Sequence, residues 1–321
     1  MRTITLEEHF VSPGFMKGPG QQLGRLSQFT EDVIDRLSGL DDSRIAEMDA
    51  AGIDTQVLSL LSPGVEQLDA DDSTRLAEES NDFLAEAVGR HSSRLFGFAA
   101  VPTPAPEAAA DELERMVRGH GFKGALINGH CRGRYLDDRY FWPILERAEA
   151  LGVPLYIHPA VPPEPVVRTY YEGNHSAEVT ARFAAAGWGW HIETAVHVLR
   201  IILSGAIDRY PRLQLLVGHL GEGLPFMMER LDSVMPTGVT KLERPIGDYL
   251  RKNLSYTFSG FNYLPTFLEL LQEVGAGRIM FSVDYPFGSM AKARSFLEKL
   301  PVSPSEREAI AHLNAERLLR L

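Results

Sequence analysis

One cysteine, Cys131, occurs in the 321 residues. No intrachain disulfide can form, which excludes a disulfide-stapled scaffold and suits a reducing compartment. Long apolar runs are missing too. No stretch of about 18 apolar residues is present, so no membrane-spanning helix is expected. The opening MRTITLEEHF lacks the apolar segment of a secretory signal and carries two acidic residues early, so the expected location is the cytoplasm. A cationic surplus is also absent: 32 Lys and Arg against 43 Asp and Glu leave a net charge of -11. Binding to nucleic acid relies on cationic contacts to phosphate, so that class of partner is excluded. A small anionic substrate is not, because a local metal or arginine overrides the global field. No nicotinamide fingerprint, P-loop or pyridoxal site is evident, so no organic cofactor is expected.

What is present is a rhythm. Eight short apolar runs read as strands: 3–6, 55–61, 95–101, 124–128, 154–158, 213–219, 254–259 and 279–284. They are nearly continuous in hydrophobicity, as parallel strands buried on both faces should be. Helical patterns separate them. One starts at Asp41 and stops at Gly52; one starts at Ser73 and ends in basic residues; one runs from Pro106 to a closing glycine. Others cover 141–150, 191–207, 224–235, 265–274, 290–300 and 304–319. Eightfold strand–helix alternation predicts a single (β/α)₈ barrel domain over residues 1–321 rather than an open sheet. Two segments stand outside the rhythm, 11–40 after the first strand and 160–189 after the fifth. Insertions this long are usually lids or binding loops, and both leave strand C-termini, where barrels build their sites.

Ligand-type residues fall at those same ends. Glu7 and His9 close the first strand, His158 the fifth, and Asp284 the eighth; His219 closes the sixth, with Glu222 three residues on. Residues two apart on a strand face the same way, so Glu7 and His9 point inward together while Glu8 points away. An inward Glu, two His and an Asp make a mononuclear divalent metal site, expected to take Mn²⁺ or Zn²⁺. The carboxylate beside His219 would fix its tautomer. Asn128, His130 and Ser259 lie at strand ends four and seven and are candidates to line the pocket. His191 and His197 fall on a helical pattern, where packing is the ordinary role, although His191 at a helix start borders the pocket region. His91, His120, His175 and His312 receive no role.

At these residues the chain resembles the amidohydrolase-related, metal-dependent decarboxylases, a group that acts on hydroxybenzoates and carboxyvanillate. The matching stretches are LEEHF, VPLYIHP, the long ETAVHVLRIILSGAIDRYPRLQLLVGHLGEGLPFMMERLD from Glu193, RIMFSVDYPF and NAERLLRL. The resemblance implies Glu7, His9, His158 and Asp284 as metal ligands, His219 and Glu222 as a catalytic pair, and Arg230 as an anion-binding residue that in some relatives reaches a neighbouring subunit. It therefore implies a homo-oligomer, dimer or tetramer. The segment after Asn128-Gly129 and the stretch RTYYEGNHSAEVTARFAAAGWGW depart from the family's pattern, which leaves the ring substitution of the substrate undefined. The implied activity is non-oxidative decarboxylation of an ortho-hydroxylated aromatic acid; the chemistry of the groups makes Asp284 the expected proton donor. The alternative is metal-dependent hydrolysis of an ester, lactone or amide on the same scaffold.

Overall fold

The computed structural model describes residues 1–25 and 29–321. Its strands are β1 (Ile4–Phe10), β2 (Thr55–Leu60), β3 (Leu95–Gly97), β4 (Ala99–Ala100), β5 (Ala125–Asn128), β6 (Leu155–His158), β7 (Leu215–Val217), β8 (Leu254–Thr257) and β9 (Ile279–Met280). Every ladder between them is parallel. β3 and β4 are one barrel strand interrupted at Phe98. The Phe98 N–H donates to Leu58 O, and the Ala99 N–H to Gly124 O, each at 2.8 Å. The ladder thus passes from the three-stranded piece to the six-stranded piece without a gap.

The remaining seam, between β9 and β1, is closed mostly by side chains. Glu8 and Tyr285 form a single parallel bridge, and the His9 N–H donates to Tyr285 O at 2.8 Å. Ser282 Oγ accepts from the N–H groups of Leu6 and Glu7 at 3.3 and 2.7 Å. The Glu8 carboxylate accepts in return from Ser282 Oγ, Val283 N and Tyr285 N at 2.9–3.1 Å. The last strand is therefore shorter than the sequence suggested: Ser282 and Glu8 take over where ladder bonds stop. A buried backbone group needs a partner from some source, and here the source is a hydroxyl and a carboxylate. Glu8, the outward member of Glu7-Glu8-His9, is fully buried and ties the circle shut.

The core has two parts. The smaller fills the barrel: Ile4, Leu6, Val57, Phe98, Leu126, Tyr156, Leu216 and Met280, plugged from below by Ala315 and Leu319. The larger lies between the strands and the surrounding helices. Helix starts follow local chemistry. Asp41 caps Asp42–Ala51 and Asp69 caps Ala70–Arg90, so the second helix begins three residues before the expected Ser73. Ser303 and Glu306 form a capping box. The two insertions are not plain loops. The first holds helices Pro13–Lys17 and Glu31–Ser38. The second holds helix Ala177–Ala184 and a π turn, Val167–Tyr171. Residues 26–28 of the first expected insertion lie outside the described residues. No helix among the described residues is long and apolar enough to cross a membrane.

Candidate metal and acid-base site

β1 changes its pairing register between Thr5 and Glu8. Such an irregularity re-aims side chains. Below it, Ile4 and Leu6 join the barrel core. Above it, Glu7 and His9 meet groups from β6, the turn after β7 and the loop after β9. Among the ligand-type groups, Glu7 Oε1 stands 3.3 Å from His158 Nε2 and 3.7 Å from His219 Nε2, and His9 Nε2 stands 3.3 Å from Asp284 Oδ1. Ligand atoms of Glu7, His9 and His158 all lie within 4.8 Å of one another. Asp284 completes the ring, with Oδ2 4.0 Å from His219 Nε2. The six residues expected at strand ends are thus gathered at one mouth.

The backbone here is forced. Seven described non-glycine residues have positive φ, and four of them are His219, Leu220, Glu222 and Asp284, at φ values of 49–71°. Left-handed backbone at non-glycine residues costs about 1–3 kcal/mol each and persists where the surroundings over-determine it. Gly218 shows the crowding: a Cβ there would stand 2.4 Å from Glu7 Oε2.

Electrostatics divide the roles. Burial pushes the Glu7 carboxyl up, but the His219 charge and the hydrogen bond from Tyr156 outweigh it and hold Glu7 well below the usual carboxylate range. Burial also lifts Asp284, yet hydrogen bonds from His219 and His9 hold it below its ordinary value. Burial pushes His158 down despite Glu7. His219 moves the other way: burial opposes its charge, but Glu222 and Glu7 raise it well above the ordinary histidine value. His219 Nδ1 stands 2.8 Å from Glu222 Oε1.

Whether these residues fit a metal is decided by hydrogens. His158 Nδ1 stands 3.0 Å from Asn128 Oδ1. An amide oxygen only accepts, so Nδ1 carries the hydrogen. The neutral ring that burial favours then holds a lone pair on Nε2, facing Glu7 Oε1. That oxygen is buried without any hydrogen-bond partner. Two acceptors face to face in a dry site are repulsive unless a cation lies between them. Imidazoles with carboxylates suit a first-row divalent ion, so the donor set fits a metal.

Three expected substrate contacts behave differently. Asn128 Oδ1 is engaged with His158. His130 is a loop brace: Nδ1 accepts from Gly133 N at 3.0 Å, and its ring also bonds the backbone of Val161. Arg230 is exposed on helix Leu224–Val234 and is not brought to this mouth within the chain. Ser259 Oγ is buried and unpartnered. Packing was the ordinary role for His191, and the structure assigns it more. Its Nδ1 is 2.5 Å from Glu222 Oε2, and its ring packs edge-on against His219 and Phe261. Glu222 is thus gripped by two imidazoles. The only signal in sequence was the position of His191 at the start of a helix beside a strand-end pair. Glu66 and Tyr156 carried no signal at all. Tyr156 donates its hydroxyl to Glu7 Oε2.

Comparison with known proteins places the whole chain beside one family. A model of the amidohydrolase family matches residues 9–321. A gamma-resorcylate decarboxylase of Polaromonas sp. is 38% identical over 336 residues, covering 99% of this chain and 98% of that protein. The crystal structure of a dihydroxybenzoic acid decarboxylase from Polaromonas sp. JS666, with bound manganese and the inhibitor 2-nitroresorcinol, matches with a TM-score of 0.90 at 37% identity, covering 100% of this chain and 97% of that one. A 5-carboxyvanillate decarboxylase from Novosphingobium aromaticivorans, with bound manganese and 3-methoxy-4-hydroxy-5-nitrobenzoic acid, matches with a TM-score of 0.92 at 33% identity and the same coverage.

Proposed function

This chain belongs to the amidohydrolase family, and from that premise we propose that it is a carboxy-lyase, a divalent-metal-dependent enzyme that removes CO₂ without oxidation from an ortho-hydroxylated aromatic acid of the dihydroxybenzoate or salicylate type. The observation that carries the reading is the confrontation of Glu7 Oε1 with the Nε2 lone pair of His158 at 3.3 Å, in a mouth otherwise built of His9, Asp284, His219 and Glu222. Glu7, His9, His158 and Asp284 would hold Mn²⁺ or Zn²⁺. The bound ion supplies a Lewis acid and a template for the carboxylate and its neighbouring hydroxyl.

The residues of the chain manage the proton. Loss of CO₂ from an arene carboxylate takes up one proton at the carboxyl-bearing carbon, and the electron pair of the broken C–C bond restores the ring. Asp284 is the group proposed to deliver that proton. It rests ionised, so it must first be charged with one. His219 stays protonated because Glu222 and Glu7 surround it, and its Nε2 is 4.0 Å from Asp284 Oδ2. An arriving anionic substrate raises the affinity of Asp284 for that proton. Glu222, held by His191, orients His219. The chain is proposed to act as one catalytic domain in the cytoplasm, as a homo-oligomer. Arg230 stands on an exposed helix face with Phe226 and Met227, which are 75% and 42% exposed, and is free to reach the site of a second copy.

The test is incubation of Mn²⁺-loaded and Zn²⁺-loaded protein with a panel of hydroxybenzoates, following CO₂ and phenol. Release from ortho-hydroxy acids, lost in Asp284→Asn, is the expected result. Cleavage of an ester or lactone with no CO₂ from any acid would replace the lyase reading with the hydrolytic one.

A further inference from the structure

Glu66 is 1% exposed and takes no part in the chemistry above. It follows Ser62-Pro63-Gly64 after β2, and among the described residues no cation stands in ion-pair contact with it. Its Oε2 accepts from Val65 N at 2.7 Å, and its Oε1 from the backbone N–H of Asn128 at 2.8 Å. The Asn128 side chain also donates to this carboxylate. Gly64 (φ 64°) shows how closely the two groups are pressed together: a Cβ there would stand 2.2 Å from Glu66 Oε2 and 2.5 Å from Asn128 Nδ2.

The arrangement has a direction. A side-chain amide has one accepting end and one donating end, and nothing in its shape decides which way round it sits. A carboxylate only accepts. With Glu66 against Asn128 Nδ2, the amide oxygen must point the other way, toward His158. Asn128 and His158 are direct partners in the β5–β6 ladder, and Oδ1 stands 3.0 Å from His158 Nδ1. That contact fixes the hydrogen on Nδ1 and leaves Nε2 bare. If Asn128 were reversed, its NH₂ would face Nδ1 and select the opposite tautomer, with Nε2–H directed at Glu7.

We infer that Glu66 is a positioning residue of the metal centre, which sets the orientation of the Asn128 amide and through it the tautomer and ring angle of His158. The inference rests on the metal centre proposed above. It concerns a residue two contacts away from the ligand, where loss of an outer partner typically weakens metal binding 10- to 100-fold.

The test uses full-length protein with Mn²⁺ as the probe, read by chelator competition, and ¹⁵N spectra of histidine-labelled metal-free protein. In Glu66→Gln, Mn²⁺ should bind 10- to 100-fold more weakly, and the His158 ring nitrogens should leave the Nδ1–H pattern. The double variant Glu66→Gln/Asn128→Asp should restore most of the affinity, because aspartate offers an oxygen to His158 whichever way it lies. That rescue also separates positioning from general damage if the single variant is poorly folded. Unchanged Mn²⁺ affinity in Glu66→Gln, or a loss that Asn128→Asp does not rescue, overturns the inference. Failure of the centre itself looks different: His158→Ala would then bind Mn²⁺ as tightly as the parent.

Discussion

The two ends of the barrel treat charge in opposite ways. At the C-terminal mouth, ionisable groups face one another: Glu7, His9, His158, His219, Glu222 and Asp284 crowd together, and one buried carboxylate oxygen is left without a partner. At the N-terminal end, arginines line a cleft of about 460 Å³; Arg212 pairs with Glu149 at 3.4 Å, and the others donate to neutral groups. Arg278 reaches Gln214 Oε1 at 3.0 Å and Lys252 O at 2.6 Å. Arg317 reaches Gly277 O at 2.8 Å, and Arg320 reaches Leu151 O at 3.4 Å. Lys252 and Leu151 end helices Ile246–Lys252 and Trp142–Leu151, so these cations meet the negative ends of helix dipoles. The bottom is electrostatically satisfied by the fold. The mouth, where four non-glycine residues hold left-handed backbone, is satisfied only by something added. This is the usual division of a barrel into a stability face and a catalytic face, read here from hydrogen-bond partners.

The comparison breaks most visibly with Asp284→Asn. Activity should fall by about 10²–10⁴, the scale of a lost acid-base group, with Tm within a few degrees of the parent; equal loss of Tm would move Asp284 to the structural side. Next in size is the metal. Because the ion offsets the mismatch at the mouth, Mn²⁺ at about 1,000 times its Kd should stabilise the fold by about 4 kcal/mol, seen as a raised Tm that chelator reverses. At the other end, Arg278→Ala should cost about 1–3 kcal/mol for its lost hydrogen bonds and leave kcat/KM untouched. A changed kcat would show that the ends are coupled. His191→Ala should lower kcat by about tenfold, the low end for a group that orients an acid-base residue, with little change in KM. An unchanged kcat would return His191 to packing.

The smallest effect expected is in pH dependence. Burial raises Glu8 to about 7, above the unfolded carboxyl value. The neutral form is therefore the one the fold prefers. Its contribution is complete below about 4.5 and is lost as pH rises through about 7. Tm of metal-free protein should decline between pH 5 and 8, and Glu8→Gln should flatten that slope. A flat profile in the parent would mean that the surrounding donors already hold Glu8 ionised.

Much of this was legible beforehand because it depends on local pattern. Buried parallel strands announce themselves as apolar runs, helix starts as Asp or Ser caps, and barrel mouths as polar residues at strand ends. Glu7, His9, His158, His219, Glu222 and Asp284 were all readable that way. Strand ends were less so: the expected 279–284 stops at Met280, because Ser282 and Glu8 replace ladder bonds with side-chain bonds that leave no periodic trace. His130 and Asn128 sat where substrate contacts are expected, yet their polar atoms are taken by Gly133, Val161 and His158. No spacing encodes how a side chain 30 or 62 residues away uses up a hydrogen-bonding atom.

The sequence by itself determined the alternation that folds into a barrel, the ligand-type residues at its strand ends and the absence of an intrachain disulfide, since each follows from composition and short-range periodicity. Only the tertiary structure decided that Glu8 closes the circle, that His191 grips Glu222, and that Glu66 reads the Asn128 amide for His158. Those are choices of partner among groups distant in the chain, and they are made by which buried donor meets which buried acceptor once the barrel has closed.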